Sequence, residues 1–333
     1  MDLFTEVHKK NYEVIKKDSF PEKWKQYHIK FKIGIRSDAP SKNSGQIFDI
    51  FRQTIRKESS QQSKKKNDLL LTYAESSAID FQQAAALYKS LLHFYQVRKK
   101  GNQTIWVMDF PKRYTAWTFD LYEGKRKDEI KSLLAEDEEV FGPSNRKTMS
   151  DALQLSRKWA LDACHKLSSP SIATKEIVKR WFHSGSPSEA SLQETITTLL
   201  QGFKNIARLC NSGDIIFSDR PHLRAKGTMS DVIASVNQDD VLPVIYIYEA
   251  FMEYGKRNKA GKIPQLWFCS LTIIHELSHR VVKTDDKRYD YSGLKPGPSF
   301  SDANALINAD SWAYFATDLA GMLTKGTLES VLF

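Results

Sequence analysis

Cysteine is scarce in this chain. Only Cys164, Cys210 and Cys269 occur among 333 residues, and no close spacing pairs them. An odd and dispersed set argues against a disulfide framework, and it provides no cluster for a cysteine-based zinc site. We therefore expect that the protein is made in a reducing compartment.

Long apolar runs are also missing. The first ten residues mix charged and apolar side chains without the apolar core of a secretory signal, and no stretch is long enough to span a bilayer. We expect a soluble protein without a membrane span, synthesised in the cytoplasm. If it acts outside the cell, a specialised secretion system must export it without a cleavable signal peptide.

The charge is basic but not patterned. The formal net charge is +9, yet Lys and Arg are spread along the chain, and no nucleic-acid-binding motif accompanies them. Binding of nucleic acid would require a basic stripe or patch. We therefore expect no nucleic-acid partner.

The most informative segment is residues 274–279, which read I-H-E-L-S-H and contain the pattern H-E-x-x-H. Two histidines four residues apart lie on one face of a helix, so His275 and His279 can reach the same metal ion. Glu276 lies close enough to that ion to take a proton from a water molecule. Two histidine ligands and a neighbouring glutamate are the minimum that a zinc peptidase of this type requires.

An isolated H-E-x-x-H also occurs by chance, on surface helices whose histidines are solvated. Here the flanking residues 267–274 and 281–282 are rich in apolar side chains, which favours a buried helix. Buried histidines need hydrogen-bond or metal partners. We therefore interpret the motif as a metal-binding helix.

A third ligand is expected downstream, because catalytic zinc usually has three protein ligands and one open position. Residues 283–293 read K-T-D-D-K-R-Y-D-Y-S-G and predict a polar turn that returns toward the helix. The longer metzincin pattern, with a third histidine, is absent from the sequence.

These motifs resemble a known family, the aspzincins, which comprise deuterolysin and the peptidyl-Lys metallo-endopeptidases. Their H-E-x-x-H is followed by G-T-x-D-x-x-Y-G, and here Thr284-x-Asp286-x-x-Tyr289 follows the histidine motif. Residues 308–315, N-A-D-S-W-A-Y-F, resemble a segment of the lysine-specific branch and of related bacterial toxin domains. The resemblance covers roughly residues 148–325.

The resemblance implies a role for each matching residue. His275, His279 and Asp286 would bind Zn²⁺, and Glu276 would be the general base. Tyr289 would donate a hydrogen bond to the oxyanion of the tetrahedral intermediate. The implied activity is that of a zinc-dependent endopeptidase acting on a protein or peptide substrate.

Residues 283–293, here called the ligand loop, depart from the family pattern at two positions. The family has glycine there, and this chain has Lys283 and Asp290. Asp285 or Asp290 therefore stays open as an alternative ligand to Asp286. Tyr291 is an alternative to the first tyrosine of the loop.

The N-A-D segment bears on substrate choice. The resemblance to the lysine-specific branch implies that acidic residues of this segment line the pocket for the substrate's Lys, and Asp310 matches one of them. The second acidic position is Ala313 here, so half of the cation-binding charge is missing. Asn308 and Asp310 are equally candidates for orienting the histidine ligands.

The compact N-A-D-S-W variant favours a bacterial effector or toxin-type protease. The absence of a signal and the scarcity of cysteine fit that context, and they also fit a plain intracellular protease. A dedicated immunity or inhibitor protein would then be a partner. The alternative is a non-catalytic, zinc-stabilised binding protein whose function lies in the N-terminal part.

We expect an α+β protein in two parts, divided near residues 141–145. Residues 1–145 would form a smaller α+β domain of unknown type, serving as a delivery, docking or regulatory module. Its pattern predicts strands around residues 29–35 and 117–121 and a helix over 78–97.

Residues 146–333 would form a zincin-like metallopeptidase domain with helices around a small sheet. Capping-box spacing at residues 148–151 predicts a helix start, and a second helix is expected over 192–209. Strands are expected at 214–217, 231–236 and 244–248, with 231–236 as the edge beside the cleft. The helix that carries the N-A-D segment would end at Gly321.

Overall fold

The computed structural model describes residues 3–36, 38–41, 45–61, 65–98, 104–227, 231–257 and 263–333. This part of the chain is mostly helical with a few short strands, which confirms the expected α+β class. It divides into two compact units. The first comprises the described residues of Met1–Lys147, Gly213–Val232 and Asn237–Glu249, and the second comprises Thr148–Ser212, Ile233–Val236 and the described residues of Ala250–Phe333.

The first unit contains a small sheet and the helices that cover it. The helices up to residue 142 are α1 (Phe4–Lys17), α2 (Lys25–Gly34), α3 (Gly45–Gln61), α4 (Lys66–Glu75), α5 (Phe81–Leu92), α6 (Thr118–Tyr122) and α7 (Lys127–Ala135). The strands are β1 (Phe94–Arg98), β2 (Thr104–Met108), β3 (Ile216–Ser218) and β5 (Val244–Ile247), while β4 (Ala234–Ser235) falls within the second unit.

The strand order in the first unit is β1-β2-β3-β5. β1 and β2 form an antiparallel pair in which Phe94 lies opposite Met108, whereas β2, β3 and β5 run parallel, with Trp106, Ile216 and Val244 in register. All four residues of β5 and four of the five in β2 are buried, as expected for parallel strands covered on both faces. The expected strands at 214–217 and 244–248 therefore exist, but they belong with the first unit.

The N-terminal strand predictions were wrong. Residues 29–35 form most of α2, and residues 117–121 lead into and form most of α6. In α2, Phe31 and Ile35 are buried while Ile29 and Ile33 are 69% and 53% exposed. The buried pair is spaced by four residues, which is the helical period, so the alternation of apolar residues did not mark one face of a sheet.

The predicted helix over 78–97 is shorter than expected. Asp80 caps α5 by accepting hydrogen bonds from the N–H groups of Gln82 and Gln83, and the helix ends at Leu92 before the chain enters β1. Aromatic residues of α3 and the first two strands then meet in the core. The ring of Phe94 stacks on that of Trp106 at 4.8 Å, and Phe48 packs edge-on against both.

The helices of the remaining chain are α8 (Pro143–Ser168), α9 (Ile172–Phe182), α10 (Glu189–Ser212), α11 (Pro221–Lys226), α12 (Glu249–Arg257), α13 (Gln265–Val281), α14 (Asp302–Leu306), α15 (Ala309–Leu319) and α16 (Lys325–Leu332). The helix predicted over 192–209 is α10. α8 begins at Pro143, five residues before the predicted start, because proline is well suited to the first position of a helix. α15 ends just before Gly321, as expected, and α16 follows it.

The motif helix α13 lies in the interior of the second unit. It packs against α10 and α15, and α15 in turn packs against α9. Gly202 of α10 permits one close approach, since a Cβ at this position would lie 2.3 Å from the ring of Trp312. Ser156 of α8 donates a hydrogen bond to the carbonyl of Ser270 at 2.9 Å, which ties α8 to α13.

None of the helices in the described residues combines the length and apolar character needed to cross a membrane.

Candidate metal centre

The two histidines of the motif lie on one face of α13. Their rings are 4.7 Å apart and nearly perpendicular, and their Nε2 atoms are 3.1 Å apart. Ile274 and Leu277, on the opposite side, are almost completely buried. The helix is therefore anchored by its apolar face, unlike a surface helix with solvated histidines.

Hydrogen bonds at Nδ1 fix the orientation of both imidazoles. His279 Nδ1 donates to the backbone carbonyl of Thr284 at 2.9 Å, and His275 Nδ1 donates to Asp310 Oδ1 at 2.7 Å. When each Nδ1 carries a proton, the lone pair of the neutral ring is at Nε2. Both lone pairs are therefore available on the side where the two Nε2 atoms meet.

The downstream loop brings one carboxylate to the same point. Asp286 Oδ1 lies 3.2 Å from His275 Nε2 and 3.3 Å from His279 Nε2. The alternative carboxylates are engaged elsewhere: Asp285 pairs with Lys287 at 2.6 Å, and Asp290 accepts a hydrogen bond from Tyr314 at 2.6 Å. Of the three carboxylates in this loop, Asp286 is the one that lies beside both Nε2 atoms.

The pKa values of these groups follow from their contacts. Burial alone would lower the pKa of His275, but hydrogen bonds to Asp286 and Asp310 raise it well above its ordinary value. Burial alone would raise the pKa of Asp286, but hydrogen bonds to the two histidines hold it well below its usual range. Positive charge between these groups is thus strongly favoured, which is the environment that a cation requires.

Asn308 holds the ligand loop in place. Its side chain is completely buried, and its Oδ1 accepts hydrogen bonds from the N–H groups of Lys287 and Arg288, both at 2.9 Å. Its Nδ2 donates to Ser311 Oγ at 3.1 Å. Asn308 thus contacts the backbone that follows Asp286, rather than the histidines it was expected to orient.

The loop begins with an unusual backbone conformation at Lys283. Its φ is +70°, in the left-handed region that glycine adopts most easily. The family pattern has glycine here, so the lysine keeps the conformation at a cost of about 1 kcal/mol. After this turn, Thr284 Oγ1 lies 2.7 Å from Ser278 Oγ, and Ser278 Oγ donates to the carbonyl of His275.

Glu276 lies on the same helical turn as the histidines and is 5% exposed. Burial raises the pKa of its carboxyl, and the two histidines offset part of this effect. The backbone of Val236 also hydrogen-bonds to the carboxylate, and the preceding strand β4 packs against α13. The expected strand over 231–236 is thus reduced to β4, and its last predicted residue, Val236, lies next to Glu276.

Tyr289 is the loop tyrosine that reaches the centre. Burial of its hydroxyl raises its pKa, as do the charge of Asp286 and a hydrogen bond to that carboxylate. The alternative, Tyr291, is 82% exposed and stacks on the Tyr289 ring, with ring centroids 5.7 Å apart. Tyr289 as a whole residue is 40% exposed.

The chemistry of this donor set fits zinc. His275, His279 and Asp286 each offer one ligand atom, and these three atoms lie within 4.8 Å of one another. Two imidazole nitrogens and one carboxylate oxygen are ligands that zinc accepts in catalytic sites, where a fourth position stays open. A hydrogen-bonded partner on each imidazole Nδ1 is usual in such sites.

Comparison with known proteins agrees with this geometry. Residues 168–317 match the model of the aspzincin family, described as lysine-specific metallo-endopeptidases. The chain carries an aspzincin domain. It is therefore a zinc metalloendopeptidase, a hydrolase of peptide bonds whose cofactor is Zn²⁺. No curated protein matches the chain.

Two contributors to the aspzincin site were missed from the sequence. Ser278 and the backbone of Val236 contact the centre, but neither has a diagnostic residue type. The position of Ser278 within H-E-x-x-H, one residue before His279, was the only signal available for it.

Replacing Asn308 by Ala should weaken zinc binding, because the loop that carries Asp286 loses two hydrogen bonds. A loss of about 10- to 100-fold in affinity is expected for a residue that positions a ligand. Competition with a chelator measures this change. Asn304→Ala, at an exposed position in α14, is the matched control and should leave the affinity unchanged. Equal zinc affinity in a folded Asn308→Ala variant would contradict the assignment.

Proposed function

We propose that this aspzincin domain hydrolyses peptide bonds with Glu276 as the general base. The observation that carries the proposal is the convergence of two imidazole Nε2 atoms and Asp286 Oδ1 beside a buried carboxylate on the same helical turn. Zinc held by His275, His279 and Asp286 would lower the pKa of water from about 15.7 to about 7 and would polarise the peptide carbonyl.

The carboxylate of Glu276 performs the proton transfers. It accepts the proton of the attacking water and then delivers that proton to the leaving amine. Its burial favours the protonated state that forms midway through the reaction, because desolvation disfavours the charged carboxylate. The hydrogen bond from the backbone of Val236 helps to fix the carboxylate in place.

Tyr289 would stabilise the charge that develops on the substrate carbonyl oxygen. Its hydroxyl remains protonated because its pKa is raised, so it can donate a hydrogen bond. In the structure this hydroxyl bonds to Asp286 instead, so it must turn from the ligand to the oxyanion. Donors aimed at developing charge contribute strongly to such catalysis.

We assign Asp310 a positioning role. Oδ1 accepts from His275 Nδ1 at 2.7 Å, and Oδ2 accepts from the N–H of Asp290 at 3.0 Å. The side chain is almost completely buried. These contacts favour orientation of a zinc ligand over the direct binding of substrate, the other role considered for this residue.

The substrate is a peptide in extended conformation. The segment 231–236 is our candidate for the edge that pairs with it, because Val236 lies at the general base. The family description supports a preference for lysine beside the cleaved bond.

Replacement of Glu276 by Gln should abolish catalysis and spare the metal. The amide cannot accept the proton, so kcat should fall by at least about 100-fold, while zinc content and melting temperature stay close to those of the parent. Digestion of a denatured protein mixture by both zinc-loaded chains, with the fragments identified by mass spectrometry, measures the effect.

The same assay separates the proposal from its alternative, a non-catalytic protein stabilised by zinc. That alternative requires one bound zinc per chain and no cleavage by the parent or by the variant. Equal cleavage by the two chains would instead show that Glu276 is not the base.

We further propose that this enzyme is an effector or toxin-type protease and that a dedicated immunity or inhibitor protein binds it. The support is the resemblance of residues 308–315 to bacterial toxin domains. The described residues of 1–145 contain helices and strands and share a large buried core with β3 and β5, as a delivery or docking module would. Export through a specialised secretion system belongs to the same proposal.

Production of the parent chain inside a bacterial host should slow growth if the proteolytic activity is toxic. Glu276→Gln, produced at the same level, should leave growth unaffected because the fold and the zinc site are kept. Growth curves measure the difference. Equal growth of the two strains, with the parent active in the peptide assay, would contradict the toxin role.

A further inference from the structure

Asp290 is an acidic residue at a position where the family pattern has glycine, and it lies beside the metal centre. Its N–H donates to Asp310 Oδ2, and Asp310 Oδ1 accepts from His275 Nδ1. One carboxylate thus separates Asp290 from a zinc ligand. The mechanism outlined above does not use the Asp290 side chain.

Asp310, the acidic residue expected to recognise a basic substrate residue, already accepts hydrogen bonds from other groups of the protein. Both oxygens of Asp310 accept hydrogen bonds within the protein, and its side chain is buried. The other acidic position of the N-A-D segment is Ala313, which is completely buried and carries no charge. α15 itself therefore offers no accessible carboxylate at this place.

The side chain of Asp290 reaches the same face of α15. Its Oδ2 accepts from the hydroxyl of Tyr314 at 2.6 Å. Tyr314 follows Ala313 and is one helical turn beyond Asp310, so residues 310, 313 and 314 share a face. The ring of Tyr314 is held in turn by parallel stacking on Trp181, with centroids 6.2 Å apart.

The Asp290 carboxylate is only partly buried, and the nearby cations are committed elsewhere. Lys287 pairs with Asp285, while Arg288 donates to the carbonyls of Gly293 and Ser299. Burial raises the pKa of Asp290, the hydrogen bond from Tyr314 opposes this, and the charge of Asp310 adds to the increase. A cation bound beside Asp290 would stabilise its charged carboxylate, and it would thereby offset the effects of burial and of repulsion by Asp310.

We propose that Asp290 determines substrate specificity by binding the ammonium group of a lysine beside the cleaved bond. The loop thereby supplies the negative charge that Ala313 does not. This assignment rests on the proposed peptidase function. A single carboxylate held by Tyr314 suits a compact ammonium, whereas a guanidinium favours a bidentate partner.

The test compares two synthetic peptides that differ only in Lys or Met at the position beside the cleaved bond. The full-length, zinc-loaded parent should favour the Lys peptide by about tenfold or more in kcat/KM, which corresponds to about 1.4 kcal/mol. Asp290→Asn should lose this preference through a higher KM for the Lys peptide. Its kcat for the Met peptide should stay unchanged, because asparagine can still accept the hydrogen bond of Tyr314.

Asp285→Asn is the matched control. It removes the same charge from the same loop at an exposed position paired with Lys287, and it should keep the preference for Lys. Asp290→Glu restores the charge and should keep the preference as well, which guards against a folding defect in the Asn variant. Zinc content and melting temperature of each variant complete the comparison.

Retention of the parental Lys preference by Asp290→Asn would overturn the assignment. So would a parent that cleaves both peptides equally well, and in that case the peptidase function would stand. If the parent cleaves neither peptide, the proposed function itself fails, and the role of Asp290 fails with it.

Discussion

One buried side-chain amide, that of Asn308, holds the loop that carries Asp286, the residue we propose as third zinc ligand. The histidines of α13 are placed by the helix itself, but Asp286 belongs to a loop without regular structure. Backbone hydrogen bonds join this loop to the start of α15, from Asp285 N–H to the carbonyl of Ile307 at 2.7 Å and from Ala309 N–H to the carbonyl of Asp285 at 3.0 Å. The side chain of Asn308 then holds the next two peptide groups. Because the Asn308 side chain is completely buried, leaving its amide unpaired would carry a substantial free-energy cost, which favours this position of the loop.

The N-A-D segment contacts both the metal centre and Asp290, the residue we propose for substrate binding. Asp310 follows Asn308 by two residues and orients His275, and Asp290 hydrogen-bonds to Asp310 through its backbone. The N-A-D segment therefore holds two of the proposed zinc ligands, Asp286 through the backbone of its loop and His275 through a hydrogen bond to its imidazole. In our proposal Asp290 faces the substrate, while Asp310 orients His275. Under this proposal the aspartate that replaces glycine at position 290 supplies the negative charge that is absent at position 313.

Sequence alone could predict those features that depend on short, regular spacing. The convergence of His275 and His279 follows from the helical period, and the buried flanks of α13 follow from the apolar residues around the motif. Asp286 was chosen from three nearby carboxylates by resemblance, since the spacing within an irregular loop does not fix the direction of a side chain. The contacts of Asn308 with Lys287 and Arg288 were beyond prediction, because they join loop and helix through backbone atoms.

The N-terminal part shows why the fold was harder to predict than the site. Ile29, Phe31, Ile33 and Ile35 alternate as a strand does, yet they lie in and just after a helix that buries only two of them. The actual strands at 94–98 and 104–108 pair with each other, and the second of them also pairs with residues 216–218, more than 100 positions away in the chain. Pairing over such a separation leaves little trace in local periodicity.

X-ray absorption at the zinc edge of the purified parent chain tests the metal centre most directly. Our account predicts one zinc per chain with only nitrogen and oxygen neighbours at about 2.0–2.2 Å, including the signature of two imidazoles. The imidazole signature should be reduced in His275→Ala, and Asp286→Asn should alter the oxygen contribution. A sulfur neighbour at about 2.3 Å, or a parent chain that binds no zinc, would contradict the account.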